Sequence, residues 1–149
     1  MIEEKYMIEA IKEAKKALKN GDVPVGAVIV YDNKIIAKAY NQKEMNKSAI
    51  SHAEIIAIDE ACKKLNTWHL TDCEIYVTME PCIMCMGAIM ESRIKKIVYG
   101  VANEKFGLMS NLKNDSSIKS RILKNRVVVN MENNDIKQML RQFFESKRI

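Results

Sequence analysis

No stretch of the 149 residues approaches the roughly 20 consecutive apolar positions that a membrane-spanning helix needs. A spanning helix is therefore excluded. The opening residues, Met1-Ile2-Glu3-Glu4-Lys5, mix acidic and basic charge where a secretory signal would carry basic and then apolar residues. A cytoplasmic protein is expected. The cysteines number only four, too few for a disulfide framework in a chain with a core of its own. In a cytoplasmic protein a Cys-x-x-Cys pair belongs instead to metal binding or redox work. Internal repeats, linkers and low-complexity segments are absent. Charge of one sign does not dominate: 24 Lys and Arg stand against 19 Asp and Glu, a net +5. That excess permits a polyanionic partner without requiring one, since a solvated basic surface has the same composition. What is present is ordinary globular material, 48% hydrophobic and 29% charged, and residues 1–149 are expected to form one domain.

The periodicity predicts a helix from Glu3 to Asn20, with Met7, Ala10, Ile11, Ala14, Ala17 and Leu18 on one face and Gly21 as its stop. Val23 to Val30 is apolar at nearly every position, as in a strand covered on both faces. With the turn Asp32-Asn33 and a second strand from Lys34 to Tyr40 it predicts a β-hairpin. Asn41 to Ser48 is expected to be a loop. A helix follows from His52 to about Leu65, N-capped by Ser51, with an inward stripe of Ile55, Ile56, Ile58, Ala61 and Cys62. Then come a strand over Glu74–Met79 and a short helix from Cys82 to about Glu91. Pro81 is expected in the first turn of that helix and Gly87 at a close-packing position. Lys96–Gly100 and Arg126–Asn130 read as strands, and residues 103–119 as irregular. A last helix runs from Asp135 to about Lys147 with Ile136, Met139, Leu140, Phe143 and Phe144 inward. Strands alternating with helices predict a layered α/β fold.

Two stretches carry the chemistry: Ser51-His52-Ala53-Glu54 and Glu80-Pro81-Cys82-Ile83-Met84-Cys85. They offer one imidazole, one carboxylate and two thiols. His52, Cys82 and Cys85 make three ligands for one Zn²⁺ per chain, which leaves a tetrahedral position open, as in a catalytic centre. Both stretches start helices, where unpaired N–H groups and the helix dipole favour the thiolate that binds zinc. Cys82 and Cys85, three apart, share a helix face. His52 and Glu54 can share a pocket only if His52 stands where the chain enters its helix. With zinc to make a water nucleophilic near neutral pH, Glu54 is the candidate proton carrier between that water and a leaving amine. The ordered pair of motifs, each at a strand-to-helix junction, is the known signature of zinc-dependent nucleobase deaminases. A closed structural site would need a fourth ligand, for which His69 and Cys73 are the candidates.

At the level of extended stretches the chain resembles the bacterial tRNA-specific adenosine deaminases of the cytidine deaminase superfamily. The resemblance is carried by Val23-Pro24-Val25-Gly26-Ala27, Tyr40-Asn41, His52-Ala53-Glu54-Ile55, Tyr76 to Cys85, Gly87-Ala88, Ser92-Arg93-Ile94 and Phe143-Phe144. It implies a three-layer α/β fold with a five-stranded mixed sheet and helices on both faces. It also implies zinc on His52, Cys82 and Cys85, with Glu54 as proton shuttle. Asn41 and Ala53 would lie in the substrate pocket, and Phe143 and Phe144 would lie near the anticodon loop of a tRNA converted from adenosine to inosine at its wobble position. A homodimer is implied, for which the apolar stretch Ile83 to Met90 would serve, or serve simply as core. Two segments depart from the family pattern: Ser48-Ala49-Ile50-Ser51 stands where Asp-Pro-Thr-Ala is usual, and Glu104 to Asn111 replaces a Gly- and Ser-rich stretch.

Phe143 and Phe144 are adjacent, so they point about 100° apart on a helix; one can be core while the other stacks on an RNA base. Lys137, Arg141, Lys147 and Arg148 are candidates for phosphate contacts. Cys62 and Cys73 read as buried apolar residues. Two alternatives to a tRNA deaminase stay open: a deaminase of a free base or nucleoside of the guanine or cytosine type, and a zinc-stabilised RNA-binding module without chemistry.

Overall fold

The computed structural model describes residues 2–113 and 116–147. Its centre is one five-stranded sheet: β1 (Gly26–Tyr31), β2 (Lys34–Tyr40), β3 (Cys73–Val77), β4 (Lys96–Tyr99) and β5 (Val127–Asn130), in the order β2-β1-β3-β4-β5. β1 runs antiparallel to both β2 and β3, and β3, β4 and β5 run parallel. Four strands therefore point one way and β1 the other, the mixed sheet that the resemblance implies.

The hairpin forms where the turn chemistry predicts. Asp32 and Asn33 both have positive φ (52° and 60°), the conformation that joins twisted strands in a two-residue turn. β1 is buried at its first five positions, as its unbroken apolar run requires. It starts at Gly26 rather than Val23, because Pro24 has no N–H to give a ladder and the Val25 N–H turns back to the Val23 carbonyl at 2.8 Å. β3 likewise ends at Val77, two residues before the expected Met79.

Two apolar layers enclose the sheet. On one face Ala27, Ile29, Ala37, Ile75 and Ile97 meet α3 (Ala53–Leu65) and α4 (Ile83–Glu91). On the other Val28, Val30, Tyr76 and Val98 meet α1 (Glu4–Lys19) and α7 (Asn134–Ser146). α1 stops as expected: Gly21 follows the cap residue with φ +79°, a left-handed conformation glycine takes without strain.

Several local expectations are corrected. Ser51 is not the N-cap of α3; that position is His52, with extended φ/ψ. The buried stripe of α3 is Ala53, Ala57 and Ala61, at i, i+4 and i+8, with Ile55, Ile56, Ile58 and Cys62 only half-buried. Small residues let the helix lie close to the sheet while the isoleucines fill its flanks. Pro81 lies outside α4, one residue before its N-cap Cys82. A Cβ on Gly87 would meet nothing within 4 Å, so that glycine does not mark close packing within the chain. The loop after β2 contains one helical turn, α2 (Lys43–Asn46), and the irregular 103–119 stretch contains α5 (Leu108–Asn111) and the start of α6 (Ser117–Leu123). On α7, Ile136, Met139, Leu140 and Phe143 are buried but Phe144 is exposed.

A candidate metal and deaminase centre

The strand directions bring the chemistry to one edge of the sheet. β2, β3 and β4 end there, and the segments that follow them supply Asn41, Glu80 with Cys82, and Asn103. β1 begins at the same edge, with Val23 and Val25 just before it. These residues line one cavity of about 430 Å³ together with His52, Glu54, Ile83 and Phe106. That volume lies within the usual range of small-ligand pockets.

His52, Cys82 and Cys85 converge in this cavity, their ligand atoms all within 4.8 Å of one another. His52 Nδ1 lies 3.4 Å from Cys85 Sγ and 3.8 Å from Cys82 Sγ. Both sulfurs belong to the first turn of α4, Cys82 as its N-cap. The Cys85 thiol and then the His52 ring hold the Cys82 thiol down at about 3. The same contact, reinforced by burial, pushes the Cys85 thiol up, and the Cys82 sulfur raises His52. One thiol is thus held as thiolate beside an imidazole, a donor set suited to a soft or borderline divalent ion.

Glu54, in the first turn of α3, is 3% exposed, and its Oε1 is buried without a hydrogen-bond partner. Burial is the main reason its carboxyl is pushed up to about 7. A buried unpaired carboxylate oxygen is costly, and here its side chain lines the cavity together with His52 and Cys82. That is an observation of fit: the residues present suit a metal centre with a proton carrier. No fourth ligand joins the group among the described residues. His69 is exposed and stacked on Trp68, and Cys73 lies inside β3.

Asn41 lines the cavity, and its Oδ1 accepts the Ala53 N–H at 2.9 Å. That bond holds the first turn of α3 and so sets His52 and Glu54. It also occupies Ala53: the residue is fully buried and does not line the cavity. The aromatic pair divides as its spacing demands. Phe144, 44% exposed, lines the cavity, whereas Phe143, 8% exposed, packs inward with the two rings edge-on at 5.3 Å. Lys147 lies over the Phe143 ring, Lys137 pairs with Glu132, and Arg148 lies outside the described residues.

Sequence reasoning missed the roles of Asn103, Phe106 and Glu80 in the cavity wall. Glu80 is 2% exposed and accepts the Asn103 N–H at 3.1 Å, the Ser110 N–H at 2.8 Å and the Ser110 hydroxyl. It ties the segment after β4 to the segment after β3. Its signal was a carboxylate standing between an apolar strand and a proline.

A three-layer α/β fold with a His/Cys/Cys group and a buried carboxylate at two helix N-termini defines a hydrolytic deaminase of the cytidine deaminase superfamily. Comparison with known proteins narrows the class. A family model described as MafB19-like deaminase matches residues 1–148. The tRNA-specific adenosine deaminase of Bacillus subtilis (strain 168) is 52% identical over 112 residues, 75% of this chain and 70% of that protein. A solved structure of a tRNA:A34 deaminase, studied for A-to-I editing at the wobble position of transfer RNA, superposes with a TM-score of 0.81 at 30% identity, covering 93% of this chain and 100% of that one. A guanine deaminase from Bacillus subtilis gives a TM-score of 0.64 at 38% identity over 68% of this chain and 66% of its own. The chain belongs to the MafB19-like deaminases and to the family of tRNA-specific adenosine deaminases.

Proposed function

We propose that this chain is a zinc-dependent hydrolase that converts adenosine to inosine at the wobble position of a tRNA anticodon. The observation that carries the chemistry is the unpartnered, buried Glu54 oxygen beside the His52, Cys82 and Cys85 group. The 52% identity to a tRNA-specific adenosine deaminase supports the substrate.

His52, Cys82 and Cys85 hold the zinc. When bound, zinc supplies the Lewis acidity that lets water attack near neutral pH. Glu54 takes one proton from the attacking water and gives it to the purine ring nitrogen, then takes the second from the new hydroxyl and gives it to the departing amine. The C–N bond at the amino-bearing carbon breaks, a C–O bond replaces it, and ammonia leaves. Burial keeps Glu54 out of bulk water, so its proton goes to the reacting atoms. Asn41 fixes the turn that carries His52 and Glu54, and its side chain borders the base. Phe144 offers a ring face at the mouth, and Phe143 supports it from the core rather than touching substrate.

The chain acts in this reading as a single cytoplasmic domain that meets an anticodon stem-loop. No helix among the described residues is long and apolar enough to cross a membrane. A homodimer is part of the proposal. The outer side of α4 exposes Ile83 (71%) and Gly87, and the helix is uncharged up to the exposed Glu91 at its C-terminal end. Sedimentation of the zinc-loaded protein tests it: a monomer at all concentrations would remove the dimer.

The test of function is incubation with an arginine tRNA carrying an ACG anticodon, in parallel with free guanine, cytosine, adenosine and cytidine. Inosine at the wobble position and no product from the free compounds is expected. Ammonia from a free base with intact tRNA would favour the second reading, a free-base deaminase. The fold shared with a guanine deaminase and the two departing segments are the observations behind that reading.

A further inference from the structure

We propose that Phe106 is a substrate-binding residue, a platform on which a nucleobase flanking the target adenosine stacks at the mouth of the cavity. The proposal rests on the tRNA reading and adds a contact that neither the motifs nor the resemblance assigns, because Phe106 lies in the segment that departs from the family pattern.

Phe106 is 64% exposed, yet it lines the same cavity as His52 and Glu54. A ring so exposed adds little to the core. The backbone that carries it is nevertheless held in place from several sides. Its own N–H donates to Asn103 Oδ1 at 3.0 Å. The next residue, Gly107, is bridged to Cys82, and its N–H donates to the Asn103 carbonyl at 2.7 Å. The Leu108 N–H reaches the Pro81 carbonyl at 3.2 Å, and Glu80 clamps Asn103 and Ser110. The backbone carrying Phe106 is therefore fixed against the metal-ligand segment itself. The backbone of the ring is ordered before anything binds, which lowers the entropy lost when a base stacks.

Charge selects the occupant. The Lys105 ammonium stands 5.3 Å from the Phe106 ring centroid, and Lys43 lines the same cavity. An apolar face beside two cations suits a nucleotide, with its π-face and its phosphate, better than it suits an apolar peptide. Stacking on a ring needs no hydrogen-bond readout, as befits a flanking base that is held rather than altered.

The experiment uses the zinc-loaded full chain and a short RNA hairpin with adenosine at the first anticodon position. Two further hairpins are abasic on the 5′ or the 3′ side of that adenosine. Phe106→Ala is expected to weaken hairpin binding by about 5- to 100-fold, the range of one lost base–aromatic stack. Phe106→Tyr should bind as the wild type does, and Phe106→Leu, apolar but without a ring face, should fall with Phe106→Ala. The thermal midpoints should agree, since the ring is exposed. On one of the two abasic hairpins the Phe106→Ala penalty should vanish. Unchanged affinity of Phe106→Ala, a penalty equal on all three hairpins, or a change of self-association showing the ring to be a protein contact would each overturn the proposal. Inosine formation by the wild type reads the tRNA assignment separately: without it both fall together, and with it the Phe106 result stands or falls alone.

Discussion

Adding one methyl group at Gly107 tests how the cavity wall is held. A Cβ built there would press well inside contact distance on the Glu80 carboxylate and lie 2.5 Å from the Asn103 carbonyl oxygen. Neither neighbour can step aside freely. Glu80 is buried and holds the Ser110 N–H at 2.8 Å and the Asn103 N–H at 3.1 Å, and the Asn103 carbonyl accepts the Gly107 N–H. The chain can either break the Glu80 bonds or shift the whole 103–111 segment. The first route forfeits charge-assisted bonds of about 1.5–3 kcal/mol each and leaves a buried carboxylate under-paired. The second costs about 1–3 kcal/mol of overpacking strain, so it is the route taken. Gly107→Ala should lower the thermal midpoint by about 2–4 °C per kcal/mol, several degrees in all. The displaced segment carries Asn103 and Phe106 with it. Because misplacement by about 1 Å can cost on the order of 100-fold, kcat/KM on an RNA hairpin should fall about 10- to 100-fold. Zinc affinity should fall as well, because Gly107 is bridged to Cys82, although His52 and Cys85 lie on other segments. Calorimetry, metal analysis and single-hairpin kinetics make the three measurements. A midpoint within about a degree of the wild type together with full activity would show that the clamp does not hold the wall.

Four further outcomes are expected. Glu54→Gln keeps the volume of the buried side chain but cannot carry the proton, so turnover should fall by about 10²- to 10⁴-fold with zinc still bound; full activity would remove Glu54 from the mechanism. Chelation should lower the melting temperature, because zinc at 100 times its Kd adds about 2.7 kcal/mol; equal midpoints for loaded and stripped protein would deny the ligand set. The Cys73 thiol is pushed up from 9.0 to about 11, first by burial in β3 and then by Asp72. A folded value above the unfolded one contributes stability that is complete below about pH 9 and is lost as pH rises through about 11, so urea midpoints should fall over that window, and Cys73→Ala should flatten the fall. Gly87→Ala puts a methyl into open space on a helix and should stabilise the chain by about 1 kcal/mol; a lower midpoint with weakened self-association would instead place Gly87 in a contact between two copies of the chain.

Much of this was legible from residues alone where the signal is local. Asp32-Asn33 demanded positive φ and made the hairpin; Gly21 stopped α1 in the left-handed region. The convergence of His52, Cys82 and Cys85 was legible because metal chemistry restricts both residue type and spacing. The failures share a physical origin too. The α3 stripe was read correctly at Ala61 and misread elsewhere because isoleucine is more apolar than alanine, whereas closeness to the sheet is decided by size, which put Ala53 and Ala57 inward with it. Ser51 is the better capping residue by propensity, but the Ala53 N–H is satisfied from afar by Asn41 Oδ1, a partner that sequence spacing does not reveal. The segment from 103 to 111 has no periodicity because its order comes from Glu80, twenty-three residues before Asn103, and not from a repeating apolar face.

That the two motifs meet at all is a matter of topology. His52 follows β2 and Cys82 follows β3, strands that are not neighbours in the sheet, since β1 lies between them. Had β1 been parallel to them, its own C-terminal turn would have occupied the space between their ends. Being antiparallel to both, it instead begins there, and the Val23-Pro24-Val25 segment that leads into it is small and apolar. The gap this leaves at the sheet edge is floored by Val23 and Val25 and walled by the segments after β2, β3 and β4. A cavity at the shared carboxyl ends of non-adjacent strands is the position at which open α/β sheets bind ligands. The reversal of β1 thus does two things at once: it makes room for a base, and it lets helices from both sides of the gap aim their N-termini at the same point, where Glu54 and the two thiols are held.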